Sequence, residues 1–499
     1  MDNCAGGISV ALKRPRSAVQ GGLFQQRAAN EPTRKPEGLS FDAQPRIPPG
    51  VGRSAIESRP SRKSREFPYS ARMNAPSILP ASDDRTRTIM RTAWLAVMLL
   101  WPVAMLNYLD RQMLASMKFS VMTDIADVAT DANWGLMLGQ FKWVYAFLSP
   151  LGGFIADRFG RRTTIVCSLF AWSVVTWITG NATTYQDLLW TRTLMGVSEA
   201  FYIPAALALI TDFHGPRTRS RAIGLHQTAI YVGVMAGGFG GYVADAQDFG
   251  WRFAFHAAGI VGILYAIPLA FSLREAPRAV AIENAASKSE EPRASIRAVS
   301  RELLTSGPFL LLVACFTLPA IAGWVVRDWM PAILKEQFGI GQGMAGVSAT
   351  LYLTIGMLVG VVIGGWMADR WSRITPRGRA YTSAVGIALL VPALFGVGNA
   401  GTLVVAVAFL AIFGLGWGLF DCNNMPILSQ IARPHLRATG YGIMNFVSIS
   451  CGGFADWGFG LMRDEGYPLN GIFAAYAALA LVSVGLMVWI AKTLPARSA

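Results

Sequence analysis

Gly153-Phe154-Ile155-Ala156-Asp157-Arg158 ends one long apolar run, and Gly365-Trp366-Met367-Ala368-Asp369-Arg370 ends another, 212 residues later. A cationic anchor at the end of a membrane-spanning helix accounts for Arg161 and Arg162, but not for an acid that recurs in both places. Two further matches point to an internal repeat. Glu199 stands five residues before Pro204, and Asp421 stands five before Pro426. Arg221-Ala222-Ile223-Gly224 is answered by Arg437-Ala438-Thr439-Gly440. Two similar halves are therefore expected.

Composition sets the medium. The 499 residues are 53% hydrophobic and 15% charged, with a mean hydropathy of +0.39, whereas soluble domains carry about 25% charged residues. Repeated apolar runs of about 20 residues predict helical membrane spans. They fall at 91–117, 134–157, 162–181, 186–213, 220–244, 252–273, 308–332, 345–369, 380–397, 401–429, 436–462 and 471–492. The expected fold is an all-α membrane protein of twelve transmembrane helices in two pseudo-symmetric six-helix halves. The expected boundaries are 89–273 and 308–494, joined by a charged cytoplasmic loop at 274–307. Residues 1–88 are rich in Arg, Pro, Ser and Gly. They read either as a disordered basic extension able to touch anionic lipid or as sequence upstream of a start at Met73 or Met90.

The net charge of +14 is gathered in particular loops. Connections after even-numbered spans carry Arg158, Arg161, Arg162, Arg217, Arg219, Arg221, Arg370, Arg373, Arg377, Arg379, Arg433 and Arg437. The opposite loops carry acids such as Asp124, Asp127, Asp131, Asp245 and Asp248. This asymmetry predicts a multi-pass protein of the cytoplasmic (inner) membrane with both termini cytoplasmic. The bilayer, not nucleic acid, is the expected partner of the basic residues. Five cysteines and four histidines show no metal spacing, no nucleophile–base pair is evident, and no GxxxxGK[ST] loop occurs. Neither an enzyme nor an ATP-driven pump is expected, and no cofactor.

Charges inside the spans mark the candidate site, because ionisable groups there are costly and usually face a bundle interior or a water-filled path. Asn107-Tyr108-Leu109-Asp110-Arg111-Gln112 lies in the first span. About 18 helical residues precede Asp110, placing it roughly 27 Å from the start of the span, so it belongs either to the interior or to the far surface. On the fourth span, Arg192 and Glu199 share a face, about 10 Å apart along the axis. Asp110 is expected to pair with Arg192, leaving Glu199 to titrate from a cavity; a static ion pair is the alternative. Arg111, Tyr108 and Asn107 then remain for a substrate, a guanidinium being suited to carboxylate or phosphate. Lys142, Tyr145 and Ser149 form one stripe of the second span, and Lys142 reads as an anion ligand or as a side chain snorkelling outward. Arg327-Asp328 is expected to neutralise itself near the outer surface. Asn423, Asn424 and Asn445 are candidate cavity donors.

With these motifs in place, the chain resembles a major facilitator superfamily transporter over about residues 90–495, most specifically through Gly153-Phe154-Ile155-Ala156-Asp157-Arg158-Phe159-Gly160-Arg161-Arg162. The resemblance implies gating by Asp157, Arg158, Arg161, Asp369 and Arg370, whose pairs must break for the pathway to open. Halves related by an axis along the membrane normal place the substrate site between them, near the midplane. Asn107-Tyr108-Leu109-Asp110-Arg111, Arg192-x6-Glu199-Ala200 and Trp324-to-Pro331 are similar to the anion:cation symporters, which include sugar-acid carriers. That likeness implies proton-driven symport of a small organic anion. It makes Asp110 and Glu199 the proton-coupling carboxylates, with Arg111, Tyr145, Arg192 and Asn445 in or beside the substrate site. The chain departs from that pattern at Ile230 and at Lys142. The Spinster-like group, whose members handle lysolipids or other amphiphiles and often export them, is also similar in the first and fourth spans. A non-transporting sensor would need an output domain that the composition does not indicate. A monomer suffices for the expected cycle.

Overall fold

A computed structural model describes residues 83–215, 217–277, 296–433 and 436–493. The expected extension at 1–88 lies outside the described residues up to residue 82, as does 278–295 of the expected loop. Among the described residues all regular structure is helical. The first six crossings are Asp83–Ser116, Asp131–Phe159, Arg161–Thr179, Tyr185–Glu199 continued by Tyr202–Phe213, Arg219–Gly238 continued by Gly240–Asp245, and Gly250–Ser272. The second six are Gly307–Phe338, Gln342–Ser372, Gly378–Gly398, Leu403–Asp421 continued by Asn424–Ile431, Arg437–Asp464, and Leu469–Thr493. A short helix, Ile296–Leu304, lies within the expected linker.

The fourth and tenth spans break at equivalent places, directly after Glu199 and Asp421. Proline causes both breaks. Without an N–H, Pro204 and Pro426 cannot bond the carbonyls four residues earlier, Ala200 and Cys422, and their rings crowd them. The five-residue acid-to-proline spacing thus places one carboxylate per half at an interrupted helix. The third repeat is registered differently from the sequence match. Arg219, not Arg221, is the counterpart of Arg437: each Nε donates to the carbonyl five residues earlier, His214 O and Ala432 O, at 3.2 Å.

Nine of the crossings are long and apolar enough to span a membrane by composition alone; the second, fifth and eleventh are not among those nine. These three lie on the seam between the halves, where the second packs on the eleventh and the fifth on the eighth, so a partner helix rather than lipid covers their polar and small residues. Glycine permits this approach, as at other small-residue crossings in membranes. A Cβ on Gly139 would stand 2.7 Å from Gly453 O, and one on Gly241 would stand 2.7 Å from Gly343 N. Both obstacles are backbone and cannot swing aside. Gly139→Val is therefore expected to penalise only the closed seam, by about 1–3 kcal/mol. Measured transport should fall about tenfold or more while the amount of folded protein in the membrane, read by size-exclusion chromatography, stays near wild type. Unchanged transport would mean that the seam never closes this tightly during function.

Candidate functional site

Within the first half, the guanidinium of Arg111 pairs with Glu199: Nε and Nη2 both lie 2.6 Å from Oε2. Glu199 is fully buried and Arg111 is 19% exposed. Around the guanidinium stand three rings, Tyr108 at 4.9 Å and Phe141 and Tyr145 at 4.7 Å. Helical spacing builds this box. Tyr108 and Arg111 are three residues apart on the first span, and Phe141 and Tyr145 four apart on the second, so each pair shares a face. The quadrupoles of the rings favour a cation, and the site thus holds one charge pair with its cationic side turned toward solvent. Phe141 completes the box and was not among the expected residues, although its spacing from Tyr145 was the available signal.

The expected Asp110–Arg192 pair is not formed. Asp110 Oδ2 instead accepts from Thr176 Oγ1 at 2.9 Å, and Arg192 Nη2 donates to Thr179 Oγ1 at 3.5 Å. Both partners lie on the third span. The cause is helix rotation: consecutive residues point about 100° apart, so Asp110 turns to the third span while Arg111 turns to the fourth. Asp110, Arg192 and Asn107 are all buried. Among the described residues, Asp110 Oδ1 and Arg192 Nε have no hydrogen-bond partner.

Across the seam, Asp421 is exposed although it lies inside the tenth span. Its electrostatic neighbours are Arg327, Tyr231 and Tyr441, from the seventh, fifth and eleventh spans, so it faces the centre of the bundle. Asn424 donates to Asp421 Oδ1 at 3.1 Å and is otherwise buried, while Asn445 is half-buried on the eleventh span. Tyr108 is an electrostatic neighbour of both Tyr231 and Tyr441, which places the aromatic box and the Asp421 group on opposite walls of one central region.

Lys142 shares the Trp324 ring with Arg327 of this region and corrects two expectations. Its ammonium does not reach outward; it is buried against Asp328 of the seventh span and Asp456 of the eleventh, with the Trp324 ring centre 4.5 Å away. Asp328 is accordingly not neutralised by Arg327. Asp456, fully buried, was missed because a single acid in a glycine-rich run carries no spacing signal. Near this triad a second cross-seam group gathers. Lys118 bonds Asp131 at 2.5 Å within the first half and Arg463 bonds Glu336 at 2.8 Å within the second. Across the seam Lys118 faces Glu336 and Arg463 faces Asp131, each at 3.8 Å, and Asp464 accepts from the backbone N–H groups of Asp131 and Ala132 at 3.0 and 2.8 Å. Gln342 donates to Ser120 Oγ at 2.6 Å and to Asp245 Oδ1 at 2.8 Å. The acid-rich end is therefore tied across the two halves.

At the arginine-rich end, no ion pair described joins the first half to the second; Arg433 reaches Glu302 of the linker helix at 3.5 Å, and the others are internal to one half. Asp157 bonds Arg161 at 3.1 Å, Arg161 also bonds Asp212, and Asp369 bonds Arg379 at 2.8 Å rather than Arg370. Arg158 lies over Phe159 at 5.9 Å, and Arg370 is exposed. The one-residue turn between the second and third spans requires Gly160, whose φ is +89°. Next to it, the Arg162 N–H donates to Glu275 Oε1 at 2.7 Å.

Comparison with known proteins places this geometry among relatives. Residues 100–455 match the profile of the Major Facilitator Superfamily. The D-galactonate transporter of Escherichia coli O6:H1 is 24% identical over 379 residues, covering 71% of this chain and 86% of the relative. Protein spinster homolog 1 of Xenopus tropicalis is 28% identical over 374 residues, covering 70% of this chain and 69% of the relative. The crystal structure of a bacterial homologue of the human lysosomal transporter Spinster, inward-facing and unoccupied, aligns with a TM-score of 0.68 at 20% identity, over 81% of this chain and 98% of that one.

Proposed function

Because the chain belongs to the Major Facilitator Superfamily, whose members are membrane transporters rather than enzymes, we propose that it moves a small organic anion of the sugar-acid type by proton-coupled symport. The observation that carries this reading is the pairing of Arg111 with a fully buried Glu199 inside the aromatic box. A substrate carboxylate and the Glu199 carboxylate compete for one guanidinium. When Glu199 takes a proton it releases Arg111, which then binds the substrate with paired, charge-assisted hydrogen bonds. Proton and anion thus bind together, and neither binds well alone. Asp110, held by Thr176, is the second proton-coupling carboxylate in this scheme.

The halves supply the gating. The tied acid-rich end and the internal ion pairs of the arginine-rich end describe a state open toward the arginine side. The positive-inside rule makes that side cytoplasmic. Asp157, Arg161, Asp369 and their arginine partners would re-pair across the halves when this end shuts.

The test uses liposomes with a pH-sensitive dye inside and sugar acids added one at a time, comparing wild type with Glu199→Gln. Substrate-triggered acidification in wild type, lost in the variant, is the expected result. The second reading, a Spinster-like carrier or proton-coupled exporter of an amphiphile, is favoured by the tyrosines of the central region and by the exposed Asp421, which would repel a simple anion. If no small anion acidifies the lumen, that reading replaces the first, and lysolipid export becomes the assay.

A further inference from the structure

Among the described residues, the charge clusters on the seam differ in how they balance. In the second cross-seam group, Lys118 and Arg463 offset Asp131 and Glu336, and Asp464 rests on two backbone N–H groups at a helix N-terminus, where the helix dipole favours an anion. In the central region Arg327 faces Asp421. Lys142, however, is enclosed by two carboxylates, Asp328 and Asp456, so the triad sums to −1 when all three groups are ionised. The other groups facing it are the Trp324 ring, with Trp329 on the same helix, Tyr476 of the twelfth span, and Arg327, whose guanidinium stands 5.4 Å from the Trp324 ring centre and, among the described residues, forms no ion pair with either carboxylate. Asp456 is fully buried, with the Trp329 indole as its polar neighbour besides Lys142 and Asp328. An unsolvated negative charge in this position is costly, and one added proton removes it.

We propose that the Lys142–Asp328–Asp456 triad is a proton-binding site separate from Asp110 and Glu199. It takes up one proton when the acid-rich end closes and releases it when that end opens to water. The step is a simple protonation: one carboxylate of the pair becomes a carboxylic acid, Lys142 stays an ammonium, and the closed triad is neutral. Because the closed state holds the extra proton, acid favours closure and alkali favours opening, by linkage. The site depends on the transporter reading only in that the halves must part. It needs no substrate.

The experiment measures distances across the acid-rich end by pulsed electron spin resonance. Spin labels are placed at Asp127→Cys and Glu465→Cys, two exposed positions on opposite halves. The protein is full-length in liposomes, with its five native cysteines replaced by alanine or serine. Asp110→Asn and Glu199→Gln are included so that the first-half carboxylates cannot contribute. Between about pH 5 and 8, the closed-to-open ratio should rise as pH falls, by up to tenfold per pH unit for a one-proton step. Asp456→Asn or Asp328→Asn should abolish the dependence and hold the end closed throughout, since either leaves a neutral pair. Should Asp456→Asn not fold, Asp328→Asn at the partly exposed member decides alone. A pH-independent closed population in the parent, or the parent's dependence surviving in the asparagine variants, overturns the site. Neither result bears on substrate-driven acidification through Glu199, so failure here and failure of the symport reading are separable.

Discussion

Arg111→Gln is expected to lower the thermal stability of the protein sharply, and the double substitution Arg111→Gln with Glu199→Gln to restore most of it without restoring transport. The single change leaves Glu199, fully buried, without its counter-charge. Removing one partner of a buried ion pair costs about 3–5 kcal/mol. The three rings that enclose the guanidinium also lose a cation each had been favouring, a further contribution of about 0.5–1 kcal/mol at a solvent-facing site. The double variant replaces the charge pair by two amides that can hydrogen-bond to each other, and a neutral pair avoids the desolvation cost that the ions bear. Stability is read as the unfolding midpoint in detergent, and transport as substrate uptake in liposomes. A coupling of about 2 kcal/mol between the two sites fits a residue pair in direct contact. If the two substitutions instead destabilise additively, the pair contributes nothing as a pair, and the competition between substrate and Glu199 for Arg111 loses its basis.

Much of the fold can be read from the chain because its signals are local. Apolar runs of membrane-spanning length and the arginine-rich connections each lie within a few tens of residues, and the twelve crossings fall close to where those runs predict them. The repeat is legible for the same reason. The acid-to-proline spacing at Glu199 and Asp421 reports a helix break in each half, because the proline acts on its own helix. What depends on how helices rotate against each other is not legible. Asp110 and Arg111 are adjacent in sequence, yet they address different helices about 100° apart. No reading of the first span alone says which of them meets Glu199. The two-residue register shift from Arg221 to Arg219 has the same origin: both lie in one arginine-rich stretch, and only the carbonyl each one reaches tells them apart.

Partners across the seam are the least legible of all, because they come from helices hundreds of residues apart. Lys142 is legible as a cation inside a span, open to reading as an anion ligand or as snorkelling outward, because its two carboxylates lie 186 and 314 residues away. Asp456 sits in a run where nothing repeats at helical spacing. The lower hydropathy of the second, fifth and eleventh spans is the one advance sign of the seam, since a helix facing lipid on all sides could not carry such residues without a large penalty.

Lys142→Gln should therefore open the acid-rich end. Lys142 is the one member of the triad from the first half, inserted between two carboxylates of the second, so its charge acts directly across the seam. In the open state all three groups reach water and lose little by the substitution. In the closed state the carboxylates lose their counter-ion in a buried site, at about 3–5 kcal/mol. That difference acts on one side of the equilibrium only and corresponds to a shift of more than about a hundredfold in favour of the open state. The distance distribution between labels at Asp127→Cys and Glu465→Cys would move to longer values at neutral pH, and uptake would fall because the cycle can no longer close this end. Adding Asp328→Asn and Asp456→Asn to Lys142→Gln should bring the short distance back, since a neutral trio demands no counter-ion and the glycine contacts of the second and eleventh spans are unchanged. A short-distance population that survives Lys142→Gln alone would show that glycine packing and the Lys118–Asp131–Glu336–Arg463 group hold the end without the triad.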